Sequence, residues 1–341
     1  MKRRDFILNS TLSVAGAMLV PDILIKNETI LGHNQKRYKI NTRWSQADVS
    51  RFPVNDCHEM VQDQKGRILL LTNETRNNVL IYDKNGKILD AWGTEYLGAH
   101  GLTLFNENGT DVLFICDNAR HQVIKTTIEG RVLMTLDYPK ETGQYTKPEE
   151  YVPTETAIAP NGDIYVTDGY GKDFVIQYDA QGRYIRHFGG RDSGDEYLQN
   201  AHGITVDLRD KANPCLIVTS REQNAFKRYD LEGKYLETIA LPGAWVCRPV
   251  IYGDYLYAAV LQSNNRQWEQ SGFVTILDKQ NQVVSNLAGS EPSYKGLIPN
   301  EMYQTIKAFQ YPHDVCVDDE ENLYVAQWNS GKTYPFKLEP V

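Results

Sequence analysis

Four of the seven histidines in this 341-residue chain stand at one recurring place. His58, Thr154 and His313 each lie twelve residues ahead of the matching apolar position, Leu70, Val166 and Val325. His100 and His202 hold the same place ahead of slightly longer turns, inside the matched strings Ala99-His100-Gly101-Leu102-Thr103 and Ala201-His202-Gly203-Ile204-Thr205. Arg248 fits ahead of Tyr257-Ala258-Ala259-Val260, which completes six units. Neutral imidazole nitrogens suit zinc, and three of them with an open fourth position make a catalytic site. His100, His202 and His313 come from alternate units, so ring pseudo-symmetry sets them about 120° apart and converging. One histidine of this kind is more simply a hydrogen-bonding group within its own unit; the three together point to a metal.

A second set follows the second strand of several units: Thr75-Arg76-Asn77, Asp168-Gly169-Tyr170-Gly171 and Ser220-Arg221-Glu222. Arg76 and Arg221 have the fork geometry that pairs with a carboxylate. Tyr170, with its pKa lowered by neighbouring cations, is a candidate proton carrier. His58 offers a further acid or base on the rim. His121 and His187 fall on outer strands or turns, and His33 in the leader, so none of the three is given a role.

These side chains need a scaffold that repeats. Short β-branched or aromatic strands such as Arg67–Leu71, Asp163–Val166 and Asn322–Val325 recur between turns of the form Asp83-Lys84-Asn85-Gly86, Asp179-Ala180-Gln181-Gly182 and Asp230-Leu231-Glu232-Gly233. A period of about 40–50 residues without long amphipathic helices predicts an all-β fold, a six-bladed β-propeller. The recurring position then opens the innermost strand of each blade, facing the central channel. Residues 37–341 form one domain, with Arg37–Arg43 closing the last blade beside Tyr334–Leu338, and residues 286–309 form an insertion over one face, a loop or a short helix.

Charge and composition narrow the function. A net charge of −8, from 36 basic and 44 acidic residues, argues against nucleic acid as partner. No apolar run long enough to span a bilayer occurs beyond the N-terminus. Residues 1–30 read as signal and leader: Arg3-Arg4-Asp5-Phe6-Ile7 and a mild apolar stretch to Val20 have the form of a twin-arginine (Tat-type) signal, which names the Tat export machinery as partner and places the protein in the periplasm or outside the cell. Five scattered cysteines form no C-x-x-C pair, and one or two disulfides stay open.

The strings Ala99–Thr103, Pro153-Thr154-Glu155-Thr156-Ala157, Tyr165–Tyr170, Ala201–Thr205, Ser220–Asn224 and Tyr311–Val315 resemble, in order, peptidyl-α-hydroxyglycine α-amidating lyase, an NHL-type six-bladed propeller. The resemblance implies that His100, His202 and His313 bind Zn2+, that Tyr170 is the catalytic tyrosine, and that Arg221, with Arg76, holds a substrate carboxylate. It also implies that Asp314 touches a structural Ca2+. Gly171 departs from the family, which has a disulfide-bonded cysteine there, and no copper oxygenase domain accompanies the propeller. The expected chemistry is elimination on a small molecule or oligosaccharide bearing a carboxylate. Export and the wealth of Tyr and Trp favour a uronate-containing oligosaccharide. The alternatives are a peptidylamidoglycolate lyase that releases glyoxylate and a non-catalytic NHL-type interaction scaffold.

Overall fold

The computed structural model describes residues 25–264 and 269–341, so the twin-arginine segment lies outside the described residues. Six antiparallel blade sheets are described; five are each entered by their innermost strand, and the sixth joins strands from both ends of the described chain. The inner strands are Cys57–Gln62, Ala99–Glu107, Glu155–Ile158, Ala201–Asp207, Ala244–Tyr252 and Pro312–Val317. They match the six repeats read from the sequence.

Burial follows position in the blade. Ile68–Thr72, a second strand, is buried at every residue because another blade packs against each of its faces, whereas the outer strand Ile88–Trp92 is half exposed. That is why second strands read as continuous apolar runs and outer ones as mixed. The aspartate turns explain the repeated D-x-x-G. Asp83 accepts the amides of Asn85 at 2.9 Å and Lys87 at 3.0 Å, and Gly86 takes a φ of 87°. Asp179 and Asp230 do the same for their own turns. In the degenerate version at Asp278, Asn281 takes the glycine's place with a φ of 59°, a conformation that asparagine tolerates.

The ring closes as expected and begins earlier than expected. Lys36–Asn41 pairs with Phe336–Pro340, with Tyr38 opposite Pro340 and Ile40 opposite Leu338. A further strand, Ile30–His33, lies outside it, so the last blade has five strands. His33, assigned to the leader, is thus structural: its Nε2 reaches the Gly289 carbonyl at 3.1 Å and its amide donates to Ser285 Oγ at 2.8 Å. The insertion is a loop with a small hairpin, Tyr294–Lys295 with Ile298–Pro299, and carries no helix. Gln304 ties it down by donating to the carbonyls of Gly272 at 2.6 Å and Phe309 at 2.9 Å.

All five cysteines are free and buried, so the disulfides left open by the sequence do not form and the thiols pack as small apolar groups. No described helix is long and apolar enough to cross a membrane.

Closure by the N-terminal strand makes Ile40, 1% exposed, a core residue. Ile40→Ala is expected to cost about 2–5 kcal/mol in urea unfolding. Ile30→Ala, at a side chain 54% exposed, should stay within about 0.5 kcal/mol of the parent. Equal losses would mean that the closing strand does not carry the ring.

Candidate active site

Each of the four inner-strand histidines sits where the strand slips its register. The pairing shifts between Cys57 and Glu59, between Ala99 and Gly101, between Ala201 and Ile204, and between Pro312 and Asp314. A bulged residue leaves the ladder and turns its side chain, which here aims the imidazoles at the channel axis. Thr154, at the same place in the third blade, precedes a strand paired without a slip. The glycines after His100 and His202 are needed for close approach. A Cβ on Gly101 would meet Glu155 Cα at 3.0 Å, and one on Gly203 would meet Arg248 Cα at 2.6 Å.

The result is a cluster of four buried imidazoles. Ring centroids are 4.9 Å apart for His58 and His100, 4.9 Å for His58 and His313, 4.7 Å for His100 and His202, 5.0 Å for His100 and His313, and 4.9 Å for His202 and His313. The structure clusters the rings of His100, His202 and His313 and adds His58, which stands in the cluster itself and not on its rim and takes the place expected of His202 in the group whose ligand nitrogens converge. Ligand nitrogens of His58, His100 and His313 lie within 4.8 Å of one another. His100 Nδ1 meets the Thr154 carbonyl at 2.8 Å and His313 Nδ1 meets the His58 carbonyl at 3.1 Å. A carbonyl only accepts, so both Nδ1 atoms carry the proton and both Nε2 atoms present a lone pair. Burial pushes His58 down to about 3 and holds the other three well below the usual histidine range. The Nδ1 atoms of His58 and His202 are buried without a hydrogen-bond partner. Neutral, converging imidazoles with orphaned nitrogens could hold a metal ion.

Tyr170 stands over this cluster. Its hydroxyl lies 3.1 Å from His100 Nε2 and 3.0 Å from His202 Nε2. The residue is 44% exposed, because one side of the ring faces solvent while the hydroxyl points down among the imidazoles. Burial of that hydroxyl raises its pKa, and Arg221, within hydrogen-bonding reach, lowers it by less. The expected lowering is thus reversed in the ion-free protein, since loss of water outweighs one guanidinium. The loop is pinned by a carboxylate where the resembling family has a disulfide. Asp168 accepts the Tyr145 hydroxyl at 2.6 Å and the amides of Val152 and Lys172, each at 2.7 Å. Gly171 leaves room for it, because a Cβ there would run into the Asp168 side chain.

Arg221 opens a single 3-10 turn, Arg221–Gln223, directly after the second strand of its blade. It is 2% exposed, donates to the Val246 carbonyl and to Cys247 Sγ at 3.0 Å each, and lies over Trp245 with its guanidinium carbon 5.1 Å from the ring centroid. Among the described residues no carboxylate forms an ion pair with it. His58, His100, Tyr170, Arg221, Trp245 and Trp328 border a cavity of about 360 Å³. Trp245 and Trp328 carried no sequence signal, because no other unit has a tryptophan at either place and repetition could not reveal them.

Two expected residues are not brought in. Arg76 has a side chain 62% exposed, pairs with Glu74 at 3.4 Å and does not border the cavity. Of the loop after Thr72 only Asn73 borders the cavity, and Asn78 braces the loop by donating to the carbonyls of Thr72 and Tyr96. Asp314, expected at a calcium ion, receives the Arg248 guanidinium at 2.7 Å, so that ion does not fit beside it.

Comparison with known proteins agrees with the fold. Residues 157–326 match a family model described as a 6-bladed beta-propeller. The chain is 26% identical over 275 residues to peptidyl-alpha-hydroxyglycine alpha-amidating lyase 1 of Drosophila melanogaster, covering 74% of this chain and 47% of that one. It is 24% identical over 269 residues to peptidyl-glycine alpha-amidating monooxygenase B of Xenopus laevis, covering 76% and 29%. It thus spans about half or less of the length of these curated relatives. Among solved structures, a streptogramin B lyase superposes with a TM-score of 0.56 at 14% identity over 92% of this chain and 99% of that one. A gluconolactonase of Xanthomonas campestris gives 0.58 at 12% over 89% of each. At such identities these two likenesses show the fold alone. The chain is a six-bladed β-propeller with homology, at low identity, to the peptidyl-α-hydroxyglycine α-amidating lyases.

Proposed function

We propose that this protein is an exported, metal-dependent lyase acting on a small substrate whose free carboxylate seats on Arg221. The observation that carries the reading is a buried guanidinium with no carboxylate ion pair among the described residues, placed beside a tyrosine hydroxyl held by two imidazoles. A buried charge without a counter-ion is costly, and a substrate carboxylate supplies one with bidentate geometry. The histidine cluster would hold the metal, which when bound supplies a Lewis acid and a positive charge favouring the phenolate of Tyr170.

The substrate class that suits these groups is an N-acyl α-hydroxyglycine. Arg221 orients the carboxylate. The Tyr170 oxygen takes the proton of the α-hydroxyl, whose electrons form the aldehyde C=O as the C–N bond breaks. The amide nitrogen keeps that electron pair and recovers the proton, so an amide and glyoxylate leave with no water consumed. The amidating-lyase names of the aligned relatives support this substrate over the uronate oligosaccharide, which rests on composition and has no counterpart among them. The cavity also suits a small molecule or a chain end, with a volume of about 360 Å³ and His58, His100 and His313 in its lining. Export by the twin-arginine route to the periplasm or beyond is part of the proposal and rests on residues 1–20.

Three outcomes are expected. Tyr170→Phe should keep stoichiometric zinc and lose about 10²–10⁴-fold in glyoxylate release from N-acyl α-hydroxyglycines, whereas His100→Ala should lose both zinc and turnover; full activity in Tyr170→Phe removes the assigned base. Arg221→Lys should raise KM for the carboxylate substrate by about tenfold or more through loss of bidentate pairing. An unchanged KM would mean that the carboxylate sits elsewhere. The third concerns pH. The imidazoles titrate lower when folded than the usual 6.5, so the unfolded chain binds more protons in that interval. Ion-free protein should therefore lose stability as pH falls below about 6.5 and continue to lose it toward about 3. Thermal unfolding at a series of pH values checks this, and a flat profile would contradict buried neutral histidines.

A further inference from the structure

One layer beneath the imidazoles, the Arg248 side chain lies among oxygen donors from four other blades. Its Nη1 donates to the Leu102 carbonyl at 2.7 Å and its Nη2 to the Met60 carbonyl at 3.0 Å. Its Nε and Nη2 take the two carboxylate oxygens of Asp314 at 3.1 and 2.7 Å. Glu59 and Glu155 complete the cage at 3.3 and 3.8 Å. All four side chains are buried, and Glu155 Oε2 has no hydrogen-bond partner. Three carboxylates and two carbonyls around one centre are a donor set of hard oxygens, the kind that holds a divalent calcium ion. Here the positive charge is supplied by the chain.

The anchors also matter by their place. Met60 follows His58 by two residues, Leu102 follows His100 by two, and Asp314 follows His313 directly. The guanidinium thus ties together the three strands whose histidine nitrogens converge most closely. It also separates the upper cavity from a second one of about 370 Å³ at the opposite mouth, bordered by Val61, Leu104, Ile158, Val206 and Val317.

We infer that Arg248 is the resident cation of a hard-oxygen cage, standing where a divalent ion would otherwise bind, and that it makes the channel floor independent of calcium while positioning the histidines above. This holds whichever reaction the upper cavity performs, so its test reads calcium and stability, not turnover. Full-length protein is dialysed free of metal and titrated with calcium chloride by calorimetry, with thermal unfolding alongside. The parent chain should bind no calcium at the cage and its Tm should not move. Arg248→Ala opens the cage: it should unfold earlier than the parent, bind one calcium, and regain about 5 °C at a hundredfold excess over Kd. Arg248→Ala combined with Glu155→Gln should bind calcium at least about tenfold more weakly, the loss of one of three carboxylate ligands. Stoichiometric calcium in the parent overturns the inference. So does an Arg248→Ala chain whose Tm ignores calcium or that fails to fold with calcium present. Calcium binding unaffected by the added Glu155→Gln also overturns it, since the ion would then lie outside the cage.

Discussion

Four imidazoles in mutual contact, with a guanidinium beside them, are tolerable only while they stay uncharged. Burial comes first; His58, His100 and His313 then lower the proton affinity of neighbouring rings, and Arg221 lowers that of all four. The neutral state is what makes the cluster a set of ligands, because only an unprotonated nitrogen can offer a lone pair. The surroundings enforce it in two ways. Burial penalises the charged form, and the backbone carbonyls of Thr154 and His58 choose which nitrogen carries the single proton.

A propeller with six blades leaves an axial channel, and this chain fills it in layers. At the top, Tyr170, Arg221 and two tryptophans surround an open cavity; below them come the histidines, then the guanidinium with its three carboxyls, then an apolar mouth. Electrostatics orders the stack. Arg221, without a carboxylate ion pair among the described residues, borders the cavity where an anion can arrive from solvent. The second cation, Arg248, is buried and neutralised in place by the carboxyl groups around it. Glu59, held well above the usual carboxylate range by burial and by Glu155 and Asp314, keeps that layer from carrying excess negative charge.

Much of the fold was legible because repetition shows up in one dimension. The twelve-residue offset, the aspartate turns and the apolar second strands are local properties of each blade, so they identified six inner strands and set His58, His100, His202 and His313 on one register. Tyr170 and Arg221 were legible for the same reason, as loops following equivalent strands. Arg76 shows the limit: it occupies an equivalent loop, yet it does not border the cavity, and no periodicity reports the direction of a side chain. Ile30–His33 was missed because an edge strand that pairs with only one neighbour needs little alternation.

Arg248 marks the division most plainly. The register placed it on the channel and could say nothing of its partners, from Asp314 66 residues away to Glu59 189 residues away along the chain. Those contacts exist only once the ring has closed. Charge neutralisation, the choice of histidine tautomers and the upward pKa of Tyr170 likewise depend on which atoms of distant blades come within a few ångströms. The amino-acid order by itself determined how many blades there are and which residue types face the axis, since strand period and turn chemistry are local. Tertiary structure alone decided which of those residues meet, because electrostatics and desolvation act through space and not along the chain.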